Sequence, residues 1–166
     1  MVVQIAVCGP SECDSTTREQ AFEVGRLLAA EGVTVLCGGY GGVMAAAAAG
    51  ARSLGGLVVG ILSASHRMGA SEDLSAVIAT GMGQARNYVL VRSADAVVIV
   101  GGSWGTLSEL ALAMRSDVPV VSIGGWKIAD SSGAAIAGVY EADNAAQAIA
   151  VLGRQLGGAL GPARPG

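Results

Sequence analysis

Short apolar runs alternate with helix-length amphipathic segments along the whole chain, and this alternation restricts the fold more than any other feature. Ala96 to Val100 contains no polar residue. Val3 to Cys8, Val33 to Leu36, Leu57 to Leu62, Ser75 to Thr80 and Val118 to Ile123 read as further strands, with Gly138 to Glu141 a short seventh. Thr16 to Glu31 places Ala21, Val24, Leu27 and Leu28 at helical spacing. Helices are also predicted over Val43 to Leu54, Gln84 to Arg92 and Thr106 to Arg115, and Asp143 is the expected cap of a last helix through Leu156. Continuously apolar strands are buried on both faces. With helices between them, they predict an α/β fold with a parallel sheet wound on both sides. The 166 residues suit one domain, expected over residues 1–156, with 157–166 as a disordered tail rich in glycine and proline.

Two glycine-rich loops leave these strands. Cys37-Gly38-Gly39-Tyr40-Gly41-Gly42 follows the second strand, and Gly101-Gly102-Ser103-Trp104-Gly105-Thr106 follows the fifth. Each puts flexible backbone at the carboxyl end of a strand and the amino end of a helix. Unpaired N–H groups and the positive helix end favour an anion there, above all a phosphate. Glycine lets backbone and ligand approach closely. Two such loops in one small domain predict a phosphorylated small molecule as ligand, held by Gly38, Gly39, Gly41, Gly42 and Met44 from the first loop. Gly101, Gly102, Ser103, Gly105 and Thr106 serve from the second, with Gly9 and Ser11 after the first strand.

Several familiar chemistries are disfavoured. Pro10 interrupts the position where a dinucleotide fingerprint would follow the first strand, and Met44 replaces the third glycine in the other loop. No Gly-Lys pair exists for a P-loop. Gly101-Gly102-Ser103-Trp104-Gly105 matches the nucleophile elbow of α/β-hydrolases, but the only histidine, His66, precedes Ser103, whereas that triad needs one after it. Ser103 is better read as a hydroxyl donor to phosphate, and His66 as a solvated side chain in the polar stretch Ser63 to Leu74.

Net charge is −3 and basic residues form no stripe, which argues against nucleic acid as a partner. Cys8, Cys13 and Cys37 form no CxxC pair, so neither a disulfide framework nor a metal site is expected. The start of the chain shows no signal-peptide pattern, and the alanine run around Ala45 to Ala49 is too short to span a membrane. A cytoplasmic protein with no membrane partner is the expectation.

Two charged residues stand out. Glu109 lies one turn after Gly105, where Thr106-Leu107-Ser108-Glu109 also reads as a capping box. Its alternative role is a carboxylate beside the bound phosphorylated ligand. Arg86 follows a predicted strand, from which its planar guanidinium would reach the same cleft. Lys127 is the only lysine, so anion binding rests on backbone N–H groups and arginines, with Arg52, Arg67 and Arg92 as weaker candidates than Arg86.

Gly101-Gly102-Ser103-Trp104-Gly105-Thr106-Leu107-Ser108-Glu109 resembles the PGGxGTxxE signature of the Lonely Guy family, once mislabelled lysine decarboxylases. Arg86-Asn87 matches that family's Arg-Lys pair, and Gly38 to Met44 its other glycine loop. The resemblance implies a Rossmann-like fold, a homodimer, and cytokinin riboside 5′-monophosphate phosphoribohydrolase activity. It makes Arg86 and Glu109 the catalytic pair and Gly101 to Thr106 the phosphate loop. Three positions depart from the pattern: Val100 replaces proline, Gly83 replaces methionine, and Asn87 replaces lysine. These features are closer to a sister branch of molybdenum-cofactor carrier proteins, which bind a phosphorylated pterin without cleaving it.

Two functions therefore stand side by side. One is hydrolysis of the N-glycosidic bond of an AMP-like nucleoside 5′-monophosphate, with no cofactor required. The other is non-catalytic carriage or sensing of a nucleotide or molybdopterin-type ligand. The small residues of Val43 to Leu54 suit close packing on an internal neighbour or on a second subunit. Lysine decarboxylation is disfavoured, since no pattern for a pyridoxal phosphate Schiff base surrounds Lys127.

Overall fold

A computed structural model describes residues 2–160. Seven strands form one parallel sheet: β1 (Gln4–Cys8), β2 (Thr34–Cys37), β3 (Val58–Leu62), β4 (Ala76–Ala79), β5 (Ala96–Val100), β6 (Val120–Ile123) and β7 (Val139–Ala142). Their order is β4-β3-β2-β1-β5-β6-β7. Ile5 of β1 stands opposite Val35 of β2 on one side and Ala96 of β5 on the other. The chain thus builds outward from β1 through β4, then returns to build the other half from β5. The loops after β1 and β5 diverge at that reversal, which opens a crevice at the carboxyl ends of the strands.

Five helices cover the sheet: α1 (Ser15–Ala30), α2 (Val43–Ser53), α3 (Arg86–Arg92), α4 (Trp104–Arg115) and α5 (Ala145–Gln155). A single 3₁₀ turn, Gly83–Ala85, leads into α3. The expected doubly wound, Rossmann-like architecture is present. Alternate residues of the central strands serve opposite cores. Ile5, Val7, Val98 and Val100 pack beneath α1, α2 and α5, whereas Ala6, Cys8, Val97 and Ile99 pack beneath α3 and α4. Burial on both faces holds for β1, β2, β3, β5 and β6, while the edge strands β4 and β7 are largely exposed.

The small-residue surface of α2 is used inside the chain. A Cβ on Gly50 would collide with the Phe22 carbonyl of α1, and one on Gly25 with the Ala47 carbonyl of α2. Two helix backbones touch because neither helix carries a side chain where they cross.

Three local expectations are corrected. Asn144, not Asp143, caps α5, its side chain accepting from the Gln147 N–H. Helix α4 begins at Trp104, two residues before the predicted start, with Ser103 as its cap. Thr106 then occupies the third helical position, so the capping box Thr106-Glu109 does not form and Glu109 falls in the second turn. Its role is not that of a cap.

The polar stretch 63–74 is tied to the body: the Ser71 N–H donates to the Gly39 carbonyl at 2.9 Å, and Leu74 packs against the core. The tail expected from residue 157 begins with an ordered closure of α5, in which the Gly158 N–H donates to the Gly153 carbonyl at 2.9 Å. Leu160 packs against the core. Residues 161–166 of that expectation lie outside the described residues.

Candidate functional site

Arg86 opens α3 and points back across the end of the sheet. Its guanidinium lies over Gly38, the first residue after β2, where a Cβ would come 2.5 Å from Nη2. The Met44 sulfur occupies the same space. Arg86 Nη1 approaches Glu109 Oε1 of α4 at 3.5 Å, and both side chains are 9 % exposed. That distance is long for a charge-assisted hydrogen bond. Arg86 Nε is buried and has no partner among the described residues. A buried guanidinium with unspent donors is costly unless an anion completes it.

Burial pushes the Glu109 carboxyl up to about 7, against the opposing pull of Arg86 and a hydrogen bond from the Cys8 thiol. A carboxyl with that affinity holds or releases a proton near neutral pH, which suits acid–base work. Cys8 and Cys37 lie beneath this pair, and burial raises both thiols, Cys37 to about 11. They are neutral and inert there, in keeping with the expected free thiols.

Asn87 points toward α4. Its Nδ2 donates to Ser108 Oγ at 2.9 Å, and that hydroxyl donates to the Gly105 carbonyl at 2.7 Å. The amide therefore braces the start of α4, where the related pattern has a lysine cation. Ser103 Oγ accepts from the Thr106 N–H at 3.2 Å and sits 2.8 Å from Thr106 Oγ1. Its oxygen caps α4, whose start carries the positive end of the helix dipole.

These groups surround a cavity of about 190 Å³. Of the expected site residues, Gly9, Ser11, Met44, Arg86, Asn87, Ser103, Gly105, Thr106 and Glu109 line it. Gly38, Gly39, Gly41, Gly42, Gly101 and Gly102 do not; they shape the loops behind it. Gly42 has a φ of 61° and leaves room for Pro10 and Ser11, so that the Val43 N–H donates to the Pro10 carbonyl at 3.0 Å. Trp126 covers Gly102, its Nε1 donating to the Ser103 carbonyl at 3.0 Å. Arg52, Arg67 and Arg92 are exposed and outside the cavity lining.

Three lining residues were missed in the sequence. Tyr40 contacts Ser63 through their hydroxyls at 3.1 Å and accepts from the Ala64 N–H, which joins the β2 loop to the end of β3. An aromatic ring between two glycine pairs was the available signal. Gln84 stands beside Arg86, and Ser63 carried no signal, because only the packing of β3 beside β2 brings it here.

Among the described residues no helix is long and apolar enough to cross a membrane. The model of the SLOG cluster4 family matches residues 2–152. An uncharacterized protein of Archaeoglobus fulgidus is 46% identical over 123 residues, covering 74% of this chain and 80% of that protein. The cytokinin riboside 5′-monophosphate phosphoribohydrolase of Mycobacterium tuberculosis is 31% identical over 128 residues, covering 72% of this chain and 68% of the enzyme. The molybdenum cofactor binding protein of Rippkaea orientalis superposes with a TM-score of 0.84 at 32% identity, covering 94% of this chain and 98% of that one. The molybdenum cofactor carrier protein of Chlamydomonas reinhardtii gives 0.81 at 30% identity, covering 95% and 99%.

Proposed function

The chain belongs to the SLOG cluster4 family, and on that premise we propose that it binds a phosphorylated, nucleotide-like small molecule over the Arg86–Glu109 pair and hydrolyses its N-glycosidic bond. The observation that carries this reading is the buried ion pair itself: a guanidinium with free donors beside a carboxyl that titrates at about 7. The 5′-phosphate rests on the start of α4 and on Arg86. Cleavage of the base–ribose bond builds positive charge on the sugar. Ionised Glu109 stabilises that charge and takes a proton from the attacking water. The water oxygen bonds to the anomeric carbon, the carbon–nitrogen bond breaks, and the base leaves with a proton from solvent. No cofactor enters this scheme.

Release of free base from AMP and from isopentenyladenosine monophosphate tests it, with Glu109→Gln alongside. Base formed by the unmutated protein alone supports the hydrolase.

A second reading has its own observation. The two molybdenum cofactor proteins match nearly their whole length, and Asn87 is bound to α4 where the hydrolase pattern has a lysine. In that reading the same cavity holds the phosphate of a pterin-type cofactor for carriage. Binding of nucleotide or pterin with no base release favours it. The family resemblance also leads us to propose a homodimer, which ultracentrifugation at micromolar concentration tests.

A further inference from the structure

Across the cavity from the start of α4, two hydroxyls meet. Gly39, at a φ of 78°, turns the chain leaving β2 toward β3, where a side chain would crowd Leu62 and Gly60. Tyr40 reaches Ser63, the first residue after β3, and their hydroxyl oxygens lie 3.1 Å apart. The Ala64 N–H donates to the Tyr40 oxygen at 3.2 Å. Residues 63 and 64 are themselves pinned from behind. The Ser63 carbonyl accepts from the Gly83 N–H and the Ala64 carbonyl from the Gly81 N–H, each at 3.0 Å. The groups around the tyrosine oxygen are therefore fixed by backbone bonds of their own.

The hydrogens can be counted. Each hydroxyl carries one O–H, a single hydrogen lies between the two oxygens, and neither hydroxyl donates to any other group among the described residues. One O–H is left for the cavity, which both residues line. When Ser63 donates to Tyr40, the free hydrogen is on the phenol. Loss of that proton leaves a phenolate that keeps both of its donors. Against the upward push of burial, the bonds from Ser63 and from the Ala64 N–H, with the Arg86 charge nearby, hold this phenol below its ordinary value of 10. The reverse arrangement would leave the hydrogen on serine, a far weaker acid.

The strand order gives this acid its place. The α4 start stands at the end of β5, the Glu109 carboxyl takes a bond from Cys8 at the end of β1, and Tyr40 follows β2. Adjacent strands are about 4.8 Å apart, so the phosphate loop and the phenol are separated by about 10 Å, with the carboxyl between them. The phosphate, anomeric carbon and base of a nucleoside monophosphate follow one another in the same order. We propose that Tyr40 is the general acid of the reaction, donating its phenolic proton to a ring nitrogen of the departing base. This rests on the hydrolase reading above and supplies the route by which the solvent proton reaches the base. The carbon–nitrogen bond breaks with its electron pair on the base, the Tyr40 proton neutralises that charge, and the phenolate then takes a proton from solvent. Ser63 and the Ala64 N–H stabilise the phenolate in between.

Cationic bases test this, because they leave as neutral molecules and need no proton. Base release is measured for AMP, 7-methylguanosine 5′-monophosphate and nicotinamide mononucleotide, with the unmutated protein, Tyr40→Phe and Ser63→Ala. Tyr40→Phe should lower kcat for AMP about 100-fold or more, leave its KM within about threefold, and slow the two cationic nucleotides less than about threefold. Ser63→Ala keeps the phenol and removes one support of the phenolate; it should lower the AMP kcat about tenfold and spare the cationic pair. Turnover of that pair also shows that each variant is folded. Equal losses on AMP and on the cationic nucleotides make the Tyr40–Ser63 contact a structural strut and overturn the proposal, as does unchanged AMP turnover in Tyr40→Phe. Cleavage of AMP by an unmutated protein that leaves both cationic nucleotides intact overturns it too, since a base that needs no proton is the easier one to expel. Base released from no nucleotide by the unmutated protein removes the hydrolase reading, and the general acid with it.

Discussion

Gly38 lies directly beneath the guanidinium of Arg86, and a methyl group on its Cα would come 2.5 Å from Nη2 and 2.9 Å from Nη1. The glycine is needed for the space it leaves. Its φ is not among the positive values of this chain. Gly38→Ala should therefore displace Arg86 and the Met44 sulfur without straining the backbone. The expected outcome is phosphate-ligand affinity reduced about tenfold or more, read by calorimetry with AMP, and little loss of thermal stability. Unchanged AMP affinity would remove Arg86 from the binding scheme.

Glu109→Gln keeps the shape of the side chain and removes its charge. Base release should fall about 100-fold or more while nucleotide binding holds within a few-fold. Since the ionised form does the work, the rate of the unmutated protein should climb as pH rises through about 7, where the carboxyl titrates. Single-turnover assays across pH check both statements, and a rate that falls over the same range contradicts the role of the carboxylate.

The same raised value predicts a pH dependence of folding. Glu109 titrates at about 7 in the fold against an ordinary 4.5, so folding takes up a proton between those values. Below 4.5 both states are protonated and the burial cost through this group vanishes. As pH rises to 7 the contribution is lost, by about 3 kcal/mol in all, and above that it levels off. Urea melts of the protein and of Glu109→Gln should draw apart over this window, the unmutated protein losing ground.

Helices α1 and α2 supply a contrast between two glycines. Gly50→Ala would drive a methyl into the Phe22 backbone and should cost about 3 kcal/mol or more, because neither helix can yield locally. Gly55 has open space around it but a φ of 73°, so Gly55→Ala should cost only about 1–2 kcal/mol through backbone strain. Denaturant midpoints separate the two.

Ser103 caps α4 through the Thr106 N–H. Ser103→Ala should lower stability by about 1 kcal/mol. Ser103→Asp, which keeps a capping oxygen but adds charge at the cavity, should restore the melting temperature and weaken phosphate binding. Thermal melts and AMP titrations of both variants check this pair.

Much of the fold was legible in local pattern. Ala96 to Val100 has no polar residue and forms a strand buried on both faces, as an uninterrupted apolar run requires. The glycine loops fell where expected, at the ends of β2 and β5, because glycine pairs that follow apolar runs mark strand ends in any context. Helix starts were less legible. Asp143 and Asn144 are both good caps by composition, and only the backbone angle at Asn144 made it the one used. In the same way Ser103 and Thr106 competed for the start of α4, and the geometry of the chain leaving β5 decided for Ser103.

What the sequence by itself determined was the set of elements, their parallel arrangement and the residue types at the crevice, since these follow from hydrophobic period and backbone freedom within a few residues. What only the tertiary structure decided was which of those residues meet. The order of strands put β5 beside β1 and so brought Arg86 to Glu109, 23 positions apart, while leaving six of the glycines behind the cavity. It also placed Ser63 and Tyr40 in one wall of that cavity. The titration of Glu109 belongs to this second group, because desolvation depends on every element packed around a carboxyl and on nothing in its immediate sequence.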